Sequence, residues 1–145
     1  MEERDQQGLT NLENEKRKNE ADQQVVKNQI NDLDEHISRL RSAYDAIGES
    51  KHEIEYVQEA IACKARSYGG SWKGRKYDCF LMDCSNSGGL HAAYQFYINE
   101  VDWIQDSINE EIYRLECQKS EKYGILQGLV NAWNRVVTDI RNYWN

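Results

Sequence analysis

The chain has 145 residues, 25 of them acidic against 18 Lys or Arg, a formal net charge of −7 and no proline. An acidic chain repels phosphate backbones and anionic lipid, so this balance argues against binding to nucleic acids or membrane surfaces. Because no proline interrupts the backbone and 30% of the residues are charged, the composition favours long helices that each bury one apolar stripe. The length suits one domain, and we expect residues 1–145 to form a single one.

The N-terminal region is strongly polar, and residues 1–25 contain few aliphatic side chains. We expect a helix there that is frayed, or that a partner orders. No apolar run approaches the roughly 20 residues that cross a bilayer, and the N-terminus lacks the apolar core of a signal peptide. We therefore expect a cytoplasmic protein without a membrane span.

A regular apolar pattern begins at Val26 and predicts a first helical arm over about residues 5–67. Its apolar residues are separated by steps of four and three, the spacing of a coiled-coil seam. They are Val26, Ile30, Leu33, Ile37, Leu40, Tyr44 and Ile47. Continued toward either end, the same frame meets polar residues: Lys16, Asn19 and Gln23 before Val26, and Lys51 and Gln58 after Ile47.

Residues 68–75 predict a bend between two antiparallel arms. Gly69 and Gly70 favour a helix stop, and Ser71 can cap the next helix. Trp72 is expected to fold over the ends of both helices, with Gly74 giving it space. The fold class is therefore all-α, a long coiled-coil-like two-helix hairpin.

The second arm, residues 76–145, contains a Ser/Asn/Gly cluster that predicts a kink or break near residues 85–89. The main helix is expected to start near Leu90. Its predicted seam shifts at Ile104–Ile112, as a stutter shifts a coiled coil. The seam residues are Leu90, Tyr94, Tyr97, Val101, Ile104, Ile108, Ile112 and Leu115. A turn near residue 71 would place Ile104 opposite Leu40 and Trp133 opposite the region of Leu9.

The end of the second arm carries an apolar stripe for which we expect no apolar mate in the chain, because the facing part of arm one is polar. An uncovered stripe of this size is typical of an interface. The predicted interface residues are Leu126, Val130, Trp133, Val137, Ile140 and Trp144. The alternative is that this end packs on Leu9 and Leu12 of the same chain.

The sequence contains few residues in patterns typical of a disulfide, a metal site or a catalytic site. Cys63 and Cys79 fall near each other in a hairpin, so a disulfide between them is an option in an oxidising compartment, whereas four reduced thiols are the simpler expectation. The spacing of Cys79, Cys84 and His91 is unlike that of a zinc site. No nucleophile elbow or phosphate-binding glycine loop is present. We expect no catalytic site, metal or cofactor.

The bend resembles that of the WXG family, small helical hairpins exported by type VII secretion systems. The matching residues are Trp72, Gly74 and Phe80, which form a Trp-x-Gly turn with an aromatic residue eight positions later. Because this chain is longer than the usual member, it is most similar to the YwqH-like branch, whose genes lie beside those of LXG-type toxins. The typical C-terminal Tyr-x-x-x-Asp/Glu export signal has no counterpart after residue 105.

The resemblance implies a non-enzymatic accessory protein. Its partner would be the helical N-terminal domain of an LXG toxin or a second small hairpin, and export would occur together with that partner. The alternative is a homodimeric coiled-coil protein with a structural or tethering role.

Overall fold

The computed structural model describes residues 2–67, 74–85 and 88–145, and these form three helices. Helix α1 runs over Glu2–Ser67, α2 over Arg75–Cys84 and α3 over Gly89–Tyr143. The all-α helical hairpin predicted from the sequence is confirmed. Trp72, Ser71 and the Gly69-Gly70 pair lie outside the described residues. No described helix is long and apolar enough to cross a membrane.

The predicted break in the second arm is confirmed, since α2 ends at Cys84 and α3 begins at Gly89. Gly88 closes the junction by donating its backbone amide to the Ser85 carbonyl at 3.0 Å. A Cβ atom on Gly88 would lie 1.7 Å from the Met82 carbonyl oxygen. The close approach of the two chain segments therefore requires glycine at this position.

The N-terminal end of α1 is helical from Glu2, and the fraying or partner dependence expected there stays a prediction. Side chains four residues apart pair along this segment; for example, the Gln7 amide donates to Asn11 Oδ1 at 3.1 Å. The Tyr143 hydroxyl donates to the Asp5 carbonyl. Contacts with α3, together with local pairs, hold a segment that has little apolar surface of its own.

The chain divides into two compact units. The terminal unit comprises Met1–Ser38 with Tyr113–Asn145, and the bend unit comprises Arg39–Ile112. In the terminal unit, the Asn19 side chain donates to the Leu129 carbonyl at 2.9 Å and Lys119 pairs with Asp34 at 2.8 Å. The two helices of this unit are therefore antiparallel. Its buried apolar residues are Val26, Ile30, Ile37, Leu115 and Val136.

The bend unit also pairs α1 with α3 in antiparallel fashion. The Gln58 amide donates to the His91 carbonyl at 3.1 Å, and the Gln105 amide donates to the Tyr44 carbonyl at 3.4 Å. Helix α2 is fastened to α1 by the Tyr77 hydroxyl, which donates to the Ala65 carbonyl at 3.1 Å. The buried apolar residues of this unit are Ala62, Ala65, Tyr77, Cys84 and Ile98.

The predicted seam of α1 is confirmed, because its residues are buried or half-buried along the whole frame. The predicted seam of α3 is wrong in part. Ile98 and Gln105 are 4% and 9% exposed, whereas Tyr97 and Ile104 are 64% and 42% exposed. The observed seam keeps steps of three and four without a stutter. It consists of His91, Tyr94, Ile98, Val101, Gln105, Ile108, Ile112 and Leu115.

The predicted facing positions are also corrected. Trp133 lies against Glu20 rather than the region of Leu9, and Gln105, next to Ile104, lies against Tyr44 rather than Leu40. The pairing is displaced because α2 and its two junctions occupy the chain between α1 and α3. A simple turn at residue 71 does not account for that extra length.

Candidate interaction surfaces

The bend motif is described for two of its three residues. Gly74 precedes α2 with φ of 116° and ψ of −179°, a backbone conformation that is essentially restricted to glycine. No described atom lies within 4 Å of a Cβ placed there. Within the described residues, the backbone conformation at Gly74 accounts for glycine at this position. From the sequence, Gly74 was expected to make space for Trp72.

Phe80 shares a face of α2 with Tyr77 and Cys84, the two buried residues of that helix. It remains 37% exposed and forms one wall of an apolar pocket of about 290 Å³. The other walls come from α1: Val57, Ala60, Ile61, Lys64 and Ala65. Phe80 therefore faces α1 but is only partly covered, because it borders an open pocket. Tyr77, which anchors α2, had not been singled out from the sequence.

The thiols of Cys63 and Cys79 are free and exposed. The Arg66 guanidinium donates to Cys63 Sγ at 3.8 Å. The disulfide between Cys63 and Cys79 stays a prediction. Within the described ranges, no three His, Cys, Asp or Glu side chains are grouped as metal ligands.

In each unit an ion pair joins α1 to α3. Lys51 pairs with Asp102 in the bend unit, and Lys119 pairs with Asp34 in the terminal unit. The hydrogen bond to the partner carboxylate raises the pKa of each lysine above its usual 10.5. Both lysines are therefore held in the charged form by their partners.

The predicted interface stripe at the end of α3 is covered in part by α1 of the same chain. Leu126, Val130, Trp133, Val137 and Ile140 are half-buried, while Trp144 is 74% exposed. Around Trp133 the facing residues of α1 are polar, whereas Leu9 and Leu12, nearer the start of α1, are half-buried, as the alternative of packing within the chain requires. The Trp133 indole donates to Glu20 at 3.1 Å, and Lys16 Nζ lies 5.9 Å from the centre of the Trp133 ring.

Asn19 is the buried member of this polar surface. Besides donating to the Leu129 carbonyl, it accepts a hydrogen bond from the Gln23 amide at 2.7 Å. A pocket of about 340 Å³ lies beside Trp133, between Glu20 and Val130. Around Leu129 and Trp133, the apolar stripe of α3 is thus packed against polar residues of α1.

A second surface lies on α3 of the bend unit and was not predicted from the sequence. Three residues that the sequence pattern assigned to the α3 seam are exposed, and so are two aromatic residues beside them. We call this set the aromatic face; it comprises Leu90, Phe96, Tyr97, Trp103 and Ile104, all of them exposed. An unbroken spacing of three and four starting from Ile98 would have revealed it.

The YwqH-like family model matches residues 13–140. No curated protein and no solved structure matches the chain. The matched region covers most of α1 and α3 and all of α2. The chain therefore belongs to the YwqH-like family.

Proposed function

We propose that the chain is a non-enzymatic adaptor for type VII secretion. It binds the helical N-terminal domain of an LXG-type toxin, or a second small WXG-like hairpin, in the cytoplasm and accompanies it to the secretion machinery. Membership of the YwqH-like family supports the class of function. The alternative from the sequence, a homodimeric tether, lacks an observation in its favour.

The observation that carries the proposal is the mismatched seam of the terminal unit. Trp133 packs against Glu20 and Lys16, and Leu129 lies beside the buried Asn19. Apolar side chains gain most when apolar surface covers them, at about 25 cal/mol per Å². A partner helix with an apolar stripe would bury more of the surface of Trp133 and its neighbours than α1 does.

Binding of this kind would serve the partner as well. Targeting helices with an apolar stripe associate with one another when they are exposed. Burial against residues 126–144 would keep such a helix soluble until export. The export signal that this chain lacks would then be supplied by the partner.

Trp144 offers the cleanest test of the surface, because its exposed side chain contributes little to the fold. The full chain is co-purified with the helical N-terminal domain of an LXG-type toxin, and affinity is measured by calorimetry. We expect Trp144→Ala to weaken binding about tenfold, equivalent to about 1.4 kcal/mol. Trp103→Ala, which removes an equally exposed Trp from the bend unit, is the matched control and should bind like wild type. Equal affinity of Trp144→Ala and wild type would reject this surface.

A further inference from the structure

We propose that the aromatic face of α3 is a second interaction surface and that it binds a basic amphipathic helix. This goes beyond the proposed function, which uses the terminal unit. The inference depends on three observations: the alignment of the five apolar side chains, their exposure and the charge of the surrounding chain.

The aromatic face is a continuous stripe. Leu90, Tyr97 and Ile104 are spaced by seven residues, which is close to two helical turns, so they lie in one line along α3. Phe96 and Trp103 form a second line beside the first. The rings of Phe96 and Tyr97 meet edge to face with their centres 6.3 Å apart. The stripe is about 20 Å long, enough to seat a helix of about four turns.

The stripe is uncovered along its length. Phe96, Tyr97 and Trp103 are 61%, 64% and 68% exposed, and Leu90 and Ile104 are 39% and 42% exposed. The seam residues on the opposite side of the helix already supply the contacts with α1. Five large apolar side chains therefore remain outside the core, and contiguous apolar surface of this kind marks an interaction site. Aromatic side chains are also the residues that carry most binding energy at interfaces.

The charge around the stripe selects the partner. From Tyr77 to Tyr113 the chain has seven acidic residues and no Lys or Arg. Glu100 lies between the two pairs of aromatic-face residues, and Glu110 follows one heptad after Trp103. Asp102 is engaged by Lys51. The apolar stripe thus has a carboxylate within it and another just beyond it, and basic residues beside a complementary apolar stripe would match them.

Other occupants fit less well. A second copy docked through the same face would bring two sets of carboxylates together, which costs free energy. Anionic lipid would meet the same repulsion. A helix with an apolar stripe and flanking Lys or Arg satisfies both the apolar and the charged parts of the surface, as in other recognition of amphipathic helices by grooves.

The test uses the full chain and two synthetic helical peptides with the same apolar stripe, one flanked by Lys and one by Glu. Affinity is measured by fluorescence anisotropy at low and high salt. We expect the Lys peptide to bind at least about tenfold more tightly, with the difference shrinking as salt screens the charges. Trp103→Ala should weaken binding of the Lys peptide about tenfold, at the scale of an interface hot spot. The matched control Tyr56→Ala, which removes an exposed aromatic side chain from α1 of the same unit, should leave it unchanged.

A charge swap separates a specific surface from general attraction to an acidic protein. Glu100→Lys combined with Glu110→Lys should reverse the preference, so that the Glu peptide binds more tightly. The control pair Glu13→Lys with Glu15→Lys, near the N-terminus of α1, makes the same change in net charge and should not reverse it. Equal binding of both peptides, or a Trp103→Ala variant that binds like wild type, would overturn the inference. The inference would also be overturned if the wild-type chain were a homodimer and Trp103→Ala made it monomeric, because the face would then bind a second copy. The toxin complex should survive Trp103→Ala, so the two proposals can fail independently.

Discussion

Asn19 shows at the scale of one residue how the terminal unit differs from an ordinary coiled coil. It occupies a seam position, is buried, and hydrogen-bonds to Leu129 and Gln23. A polar residue at such a position fixes the register at a cost in stability. It also places a polar side chain against the stripe of α3 at Leu129.

Replacement of Asn19 by Leu should therefore stabilise the chain. We expect Asn19→Leu to raise the free energy of unfolding by about 1–2 kcal/mol through added apolar burial, which corresponds to a few degrees in Tm. Thermal unfolding followed by circular dichroism measures this. Asn28→Leu, at an exposed position of α1, is the control and should leave Tm nearly unchanged. A lower Tm for Asn19→Leu than for wild type would contradict the account of the seam.

Gly74 is the second residue with a distinct structural role, since its φ of 116° excludes side chains by strain rather than by a clash with the described atoms. We expect Gly74→Ala to lower the free energy of unfolding by about 1–3 kcal/mol. Gly124→Ala, in the interior of α3 and with open space at its Cβ, should instead raise it by about 0.5–1 kcal/mol. Urea denaturation of both variants measures the contrast. Equal effects would mean that the backbone at Gly74 is not strained.

At the scale of elements, two adjacent glycines at the junction between α2 and α3 differ in whether a side chain could replace their hydrogen. Gly88 cannot carry a Cβ without displacing the Met82 carbonyl, whereas nothing lies within 4 Å of a Cβ at Gly89. We expect Gly88→Ala to destabilise the chain by several kcal/mol or to open the junction, because the obstructing atoms belong to the backbone. Gly89→Ala should be neutral or slightly stabilising.

Unfolding curves of the two variants, combined with limited proteolysis near residue 86, report on this junction. The expected result is faster cleavage of Gly88→Ala alone. If both variants melt and resist protease like wild type, the close approach at Gly88 does not hold the two helices in place.

The buried seam was predicted correctly for α1 but only in part for α3. The α1 seam was found because Val26 to Ile47 supply an apolar residue at every step of the frame. On α3 the frame passes through the polar residues His91 and Gln105, so the apolar pattern favoured Leu90 and Ile104 beside them, and with that frame Tyr97 in place of Ile98. Hydrogen bonds place Gln58 and Gln105 inside. Such long-range pairs between distant chain segments leave no local signal in the sequence.

At the scale of the whole molecule, the sequence predicted the hairpin and the break after α2. It did not predict which part of α1 faces the C-terminal stripe of α3, because α2 and its junctions shift the pairing. It also did not reveal the aromatic face, since three of its five residues were assigned to the seam. The mismatch of the terminal unit therefore rests on polar side chains, Lys16, Asn19 and Glu20, rather than on an empty surface.

The proposed function requires that this chain pair with a different helical protein. Light scattering coupled to size-exclusion chromatography measures this pairing when it is applied to the chain alone and mixed with the helical N-terminal domain of an LXG-type toxin. We expect the mixture to elute as a stable heteromer whose mass contains both proteins. A stable homodimer of the chain alone, whose mass does not change when the toxin domain is added, would contradict it.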